Sequence, residues 1–147
     1  MLDSDRNDVN LEEEIEEEQH LREFQAGKYL RKLRGNRSLA DVVKYLDIST
    51  NYLSEVERGK MPSDHFLSQA AEFYEVDGDD LFFRWGKIPI LAAATIRDNK
   101  QLMTTLADIS RHKDFTDEQK QRLYDSLYKT YKDFLNMLQA EKEGANL

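Results

Sequence analysis

The side chains with binding chemistry crowd into one short stretch, DISTNYLSEVERGKMPS, running from Asp47 to Ser63. Thr50, Asn51, Tyr52, Ser54 and Glu55 bring hydroxyl, amide and carboxylate groups together there. Arg37, Lys44, Arg58 and Lys60 add cations around them. Such a set can donate, accept and neutralise, which is the chemistry of recognition. Bond-breaking chemistry has no comparable signature. The chain has no glycine-rich phosphate loop, no nucleophile elbow and no paired acids in an apolar setting. His20, His65 and His112 are scattered, without the spacing of metal ligands, and there is no cysteine. Neither a metal nor a cofactor is expected, and the chain is read as a non-enzyme.

The elements that must position these groups are two short helices. SLADVVKYL, Ser38–Leu46, is amphipathic, with Leu39, Val42, Val43 and Leu46 as its apolar stripe. After a tight turn, Ser49 caps a second short helix that turns Leu53 and Val56 inward and stops at Gly59. Two short helices joined this way make a helix-turn-helix, whose second helix fits the major groove of DNA.

The overall charge of −8 argues against a nucleic-acid partner until its distribution is read. Residues 1–23 hold ten acids against two bases, whereas acids and bases balance in 24–87 and again in 88–147. Within 24–60, Lys28, Arg31, Lys32, Arg34, Arg37, Lys44, Arg58 and Lys60 face only Asp41, Asp47, Glu55 and Glu57. The helix-turn-helix is therefore locally basic, and it is the local field that meets phosphate. No run of apolar residues is long enough to span a bilayer and the N-terminus is acidic, so neither a membrane anchor nor a signal peptide is expected. With no cysteine, a reducing cytoplasm is the expected location.

Along the rest of the chain, residues 1–10 carry little apolar content and are expected to lack order. Residues 11–34 read as one helix or two abutting ones, ended by Gly35-Asn36. Pro62-Ser63-Asp64 opens a fourth helix burying Phe66, Leu67, Ala70 and Phe73, and Val76-Asp77 begins a fifth with Leu81, Phe82 and Trp85 on its apolar face. Gly86 and Pro89 mark a domain boundary. Beyond them, two short helices break near Asp98-Asn99. A capping box, Thr116 with Gln119, then opens a long helix to about Ala140. The expected organisation is an acidic segment over 1–23, a DNA-binding domain over 24–87 and a helical region over 88–147.

On GKYLRKLR (27–34), SLADVVKYLDIS (38–49), YLSEVERGKMPS (52–63) and LSQAAEFYEVDGDDLF (67–82), the chain resembles the Cro/repressor-like helix-turn-helix family of bacterial and phage regulators, also called the xenobiotic-response-element family. The resemblance implies an all-α fold: a five-helix, lambda-repressor-like domain followed by a helical C-terminal extension. It also implies that the third helix reads bases, here through Thr50, Asn51, Ser54 and Glu55. Asn51 suits adenine, pairing with N6 and N7, and Glu55 can accept from cytosine N4. Arg37, Lys44, Tyr52, Arg58 and Lys60 are then the backbone contacts, which orient without specifying sequence. Leu39 stands where family members often carry glutamine, and Val43 where they often carry alanine.

The expected function is sequence-specific binding of double-stranded DNA by a dimeric transcriptional repressor. Tyr124, Leu127, Tyr131, Phe134 and Leu138 alternate at three and four residues, a coiled-coil-like seam that Leu123, Tyr128 and Leu135 widen. That seam serves either an intramolecular core or a homodimer, and a palindromic site favours the homodimer. Two other expectations stand beside these. Residues 88–147 alternatively bind a partner protein, as in an antitoxin. Glu12–Glu18, a solvated helix on the simpler reading, alternatively acts as a tethered decoy for the basic face. A structural ion pair is expected between Glu57 and either Lys32 or Arg34.

Overall fold

A computed structural model describes the backbone of residues 2–145 and the side chains of 8–145. All regular structure among the described residues is helical: α1 (Leu2–Arg34), α2 (Leu39–Leu46), α3 (Thr50–Glu57), α4 (Asp64–Tyr74), α5 (Gly78–Arg84), α6 (Ile90–Asp98), α7 (Lys100–Arg111) and α8 (Asp117–Ala145). None of these helices is long and apolar enough to cross a membrane. Two compact units divide the chain, Met1–Ala94 and Thr95–Leu147, and the division falls inside α6.

Local chemistry sets the helix boundaries in the first unit. Ser38, Ser49, Ser63 and Asp77 each sit in extended backbone and accept, through the side-chain oxygen, from an N–H of the following helix's first turn. Gly35 and Gly59 take positive φ and end α1 and the turn after α3. The turn between α2 and α3 is made by Asp47 at φ 52°. Aspartate tolerates the left-handed region better than most residues with a Cβ.

The core follows the apolar stripes. Leu30, Val42, Leu46, Leu53, Val56, Phe66, Leu67, Leu81 and Trp85 are all at or below 1% exposure. Leu39, Val43 and Phe73 flank this cluster, half-buried. α1 packs on α3 and α5, α2 on α3 and α4, and α4 on α5.

Two features differ from expectation. Residues 2–10 are helical and continuous with the rest of α1, whereas Met1 lies outside the described residues. No glycine or proline occurs before Gly27, and glutamate, glutamine, leucine and arginine are strong helix formers. Four of α1's apolar residues, Leu11, Ile15, Leu21 and Phe24, also stay exposed. The helix joins the domain only from Gln19 onward, where Gln19 Nε2 donates to the carbonyl of Trp85 at 2.9 Å.

In the second unit, Asn99 caps α7 and the Thr116–Gln119 box closes reciprocally at 3.0 and 3.1 Å. No described residue of this unit is buried. Tyr124 is half-buried, while Leu127, Tyr131, Phe134 and Leu138 are exposed. Within its own unit, α8 joins no buried core.

Among the glycines, Gly27 is where an added Cβ would meet neighbouring backbone most closely. A Cβ there would lie 2.6 Å from the Glu57 carbonyl oxygen and 2.9 Å from the Val56 oxygen and the Gly59 nitrogen. Gly27→Ala therefore gains helix propensity but forces α1 off α3. The expected net result is a loss of about 1–3 kcal/mol, read from urea unfolding. An unchanged midpoint would show that α1 has room to move.

Candidate nucleic-acid interface

α3 is held from behind at its C-terminal end. Gly27 brings α1 onto that end, and Arg34 locks it: Nε lies 2.8 and 2.9 Å from the two carboxylate oxygens of Glu57. Both side chains are nearly buried, and Arg34 also donates to the Arg37 carbonyl at 2.8 Å. Of the two partners the sequence offered Glu57, Arg34 is the one used. The inward face of α3 is sealed by Leu53 and Val56.

The outward face carries the polar row. Thr50 and Asn51 are exposed at the start of α3, and Ser54 and Glu55 follow half-exposed. Asn51 Nδ2 donates to Glu55 Oε1 at 3.4 Å, and Lys60 Nζ donates to Glu55 Oε2 at 2.8 Å. The hydrogen bond from Lys60, then its charge, then that of Arg58, hold the Glu55 carboxyl below the ordinary glutamate range; Glu55 in turn raises Lys60. Glu55 is therefore charged and engaged on both oxygens. The chain Asn51–Glu55–Lys60 fixes the amide of Asn51 with one Nδ2 hydrogen spent and with its oxygen and second hydrogen free. That is the pair needed for an adenine edge. The spacing i, i+4 for Asn51 and Glu55 was visible in the sequence; the return of Lys60 past Gly59 was not.

Among the residues expected at the phosphates, three lie open. Lys44 is exposed, with Asp41 at a loose 3.8 Å. Arg58 is exposed and donates only to its own helix, at the Ser54 carbonyl. Lys60 is more than half exposed despite its bond to Glu55.

The other two have further work. The ring of Tyr52 meets Phe66 edge-on at 5.6 Å, and its hydroxyl accepts from the Ser63 N–H at 3.1 Å, which ties α3 to the start of α4. Its own O–H proton remains available to donate. Arg37, exposed, also has contacts within the domain. Its Nε and Nη2 donate to the carbonyls of Arg34 and Leu33, capping α1, and its guanidinium lies 5.2 and 5.3 Å from the rings of Phe73 and Tyr74. A guanidinium so committed is a brace between α1 and α4.

A family model described as Helix-turn-helix matches residues 28–81. Those residues form a helix-turn-helix domain of the Cro/repressor-like type. No curated protein and no solved structure matches the chain. The matched span begins at Lys28, one residue after the glycine that sets the α1–α3 contact, and ends at Leu81 in the core. In this helix-turn-helix domain α2 and α3 are the motif pair.

The Glu55–Lys60 contact has a pH consequence. A carboxylate whose folded value is depressed contributes stability above its unfolded value and loses it as pH falls through the folded one. In an NMR titration Glu55 should titrate below the ordinary glutamate range, and Lys60→Met should move it back towards that range. Coincident titration in both proteins would remove Lys60 from the chain.

Proposed function

We propose that the chain is a sequence-specific DNA-binding transcriptional repressor acting as a dimer. The observation that carries this reading is α3 itself, anchored along one face by α1 and by the core, with Thr50, Asn51, Ser54 and Glu55 along the other. A helix so fixed enters the major groove without reorganising. Asn51 reads an adenine edge and Thr50 a neighbouring thymine methyl or base acceptor. Glu55 acts chiefly by positioning Asn51 and by repelling sequences that bring an acceptor to it. Lys44, Arg58, Lys60 and the Tyr52 hydroxyl contact phosphate, and the fixed register follows from them. Repression is by occlusion.

The dimer uses α8. Tyr124, Leu127, Tyr131, Phe134 and Leu138 form an apolar stripe on a helix none of whose described residues is fully buried. Tyrosine and phenylalanine are enriched in the centres of protein interfaces. With two-fold symmetry, two copies of α3 meet half-sites about one helical turn, roughly 34 Å, apart. The same exposed stripe favours one other reading, in which α8 binds a different protein and the chain is an antitoxin or adaptor.

Selection from a randomised duplex library at near-physiological salt separates these. A two-fold symmetric motif is expected; a single half-site would give α8 to another partner, and no enrichment would overturn DNA reading. Replacing Tyr131→Asp with Phe134→Asp should reduce the symmetric motif to a half-site. Asn51→Ala should relax one base position and weaken specific binding by about 1–3 kcal/mol, with little effect on random duplex. Equal losses on both would remove Asn51 from base reading.

A further inference from the structure

The outer face of α1 is the largest feature that DNA reading leaves unused. Its inner face is committed: Ala26 and Leu30 enter the core, Gly27 meets α3 and Arg34 meets Glu57. On the opposite side runs an exposed row, Glu14, Glu17, Leu21, Phe24, Lys28 and Arg31. Its steps are three, four, three, four and three residues, the spacing of a helix–helix seam. Leu21 and Phe24, at 57% and 49% exposure, form its middle. One end is acidic and the other basic.

We infer that this face pairs antiparallel with α1 of a second copy of the chain. The row is self-complementary only in that direction. Setting Leu21 against the partner's Phe24 sets Glu17 against the partner's Lys28 and Glu14 against the partner's Arg31, and two-fold symmetry repeats each pair. A parallel arrangement puts every charge against its like, which disfavours it. Phe24 borders the Gly59 turn at one edge of the row, while the core contacts of α1 through Ala26 and Leu30 lie on its other side and are undisturbed. Lys28 Nζ already lies 4.3 Å from the Phe24 ring centroid, beside the apolar centre that Glu17 of the partner would approach. The row extends about 26 Å along the helix, with only four large apolar side chains at its centre. The contact is therefore modest in area, charge-steered and weakened by salt.

This pairing also accounts for the acidic half of α1. A decoy must fold back onto α3, and an unbroken helix from Leu2 to Arg34 gives the glutamates no hinge for it. On a second copy two of them, Glu14 and Glu17, meet Arg31 and Lys28 directly. The surface is separate from α8, so a chain that uses both can build dimers of dimers.

Charge exchange tests it in the full-length chain. One variant carries Glu14→Lys and Glu17→Lys; the other carries Lys28→Glu and Arg31→Glu. All four sites are exposed, and retained helicity by circular dichroism confirms folding. Each variant alone loses α1 pairing, while a mixture restores every pair as an opposite-charge contact. α8 is identical in both, so association through it mixes them at the statistical ratio. Native mass spectrometry of the mixture should show unlike pairs preferred about tenfold at low salt, with the preference fading as salt rises. Because the chain has no cysteine, Leu21→Cys mixed with Phe24→Cys should also give the mixed disulfide in excess of either symmetric one under mild oxidation. A statistical mixture of folded variants, or no excess of the mixed disulfide, overturns the pairing.

Discussion

The contact between α1 and the C-terminal end of α3 is the constraint on which the rest of the domain depends. Eight residues of helix cannot hold a fixed direction by their own backbone bonds, because short helices are marginal in water. α3 obtains its direction from neighbours. Gly27 removes the side chain that would keep α1 at ordinary packing distance, so the Glu57 carbonyl comes almost onto the Cα of α1. The close approach places Arg34 two turns further on opposite the Glu57 carboxylate. A buried ion pair adds little net stability over an apolar pair, but leaving either partner alone is costly, so it disfavours a shifted register. Leu53 and Val56 then fix rotation about the helix axis. With translation, direction and rotation all specified at its back, the front of α3 can be entirely polar.

That polar front is organised by the same economy. Glu55, read from its residue type alone, is a liability near phosphate. Its two oxygens are instead occupied, one by Asn51 and one by Lys60, and the acid becomes the centre of a three-residue chain. A preorganised amide loses less freedom on meeting a base than a swinging one. Tyr52 makes a similar compromise, its ring held against Phe66 and its hydroxyl oxygen against the Ser63 N–H, so a single residue links α3, α4 and the groove face.

Much of this was legible in the sequence because it is local. Ser38, Ser49, Ser63 and Asp77 announce helix starts by a rule that spans three residues, and Leu53, Val56, Phe66 and Trp85 follow one-helix periodicity. Non-local consequences were harder. Nothing near Gly27 states that α3 will lie against it, and nothing near Arg37 states that Phe73 and Tyr74 will lie beneath its guanidinium. The left-handed turn at Asp47 replaces the glycine that such a turn usually advertises. Composition misled at residues 1–10, because low apolar content says a segment cannot form a core, not that a helix begun further along cannot continue through it.

The distribution of burial carries one further argument. The first unit has a core around Trp85, whereas the second has α7 and α8 with nothing buried. A helix the length of α8 gains about 0.2–0.5 kcal/mol from each exposed i, i+4 ion pair, such as Lys129 with Asp133, and little else in isolation. Its tyrosines, phenylalanine and leucines lie along one side, exposed except for the half-buried Tyr124. Apolar residues kept at regular helical spacing on a surface are maintained by whatever covers that surface. The same reasoning applies to Leu21 and Phe24 on α1, where the neighbouring charges also say in which direction the cover must run. In the first unit, then, the interior fixes how α3 is presented, and the exposed apolar rows of α1 and α8 are the surfaces that the proposed contacts between copies would cover.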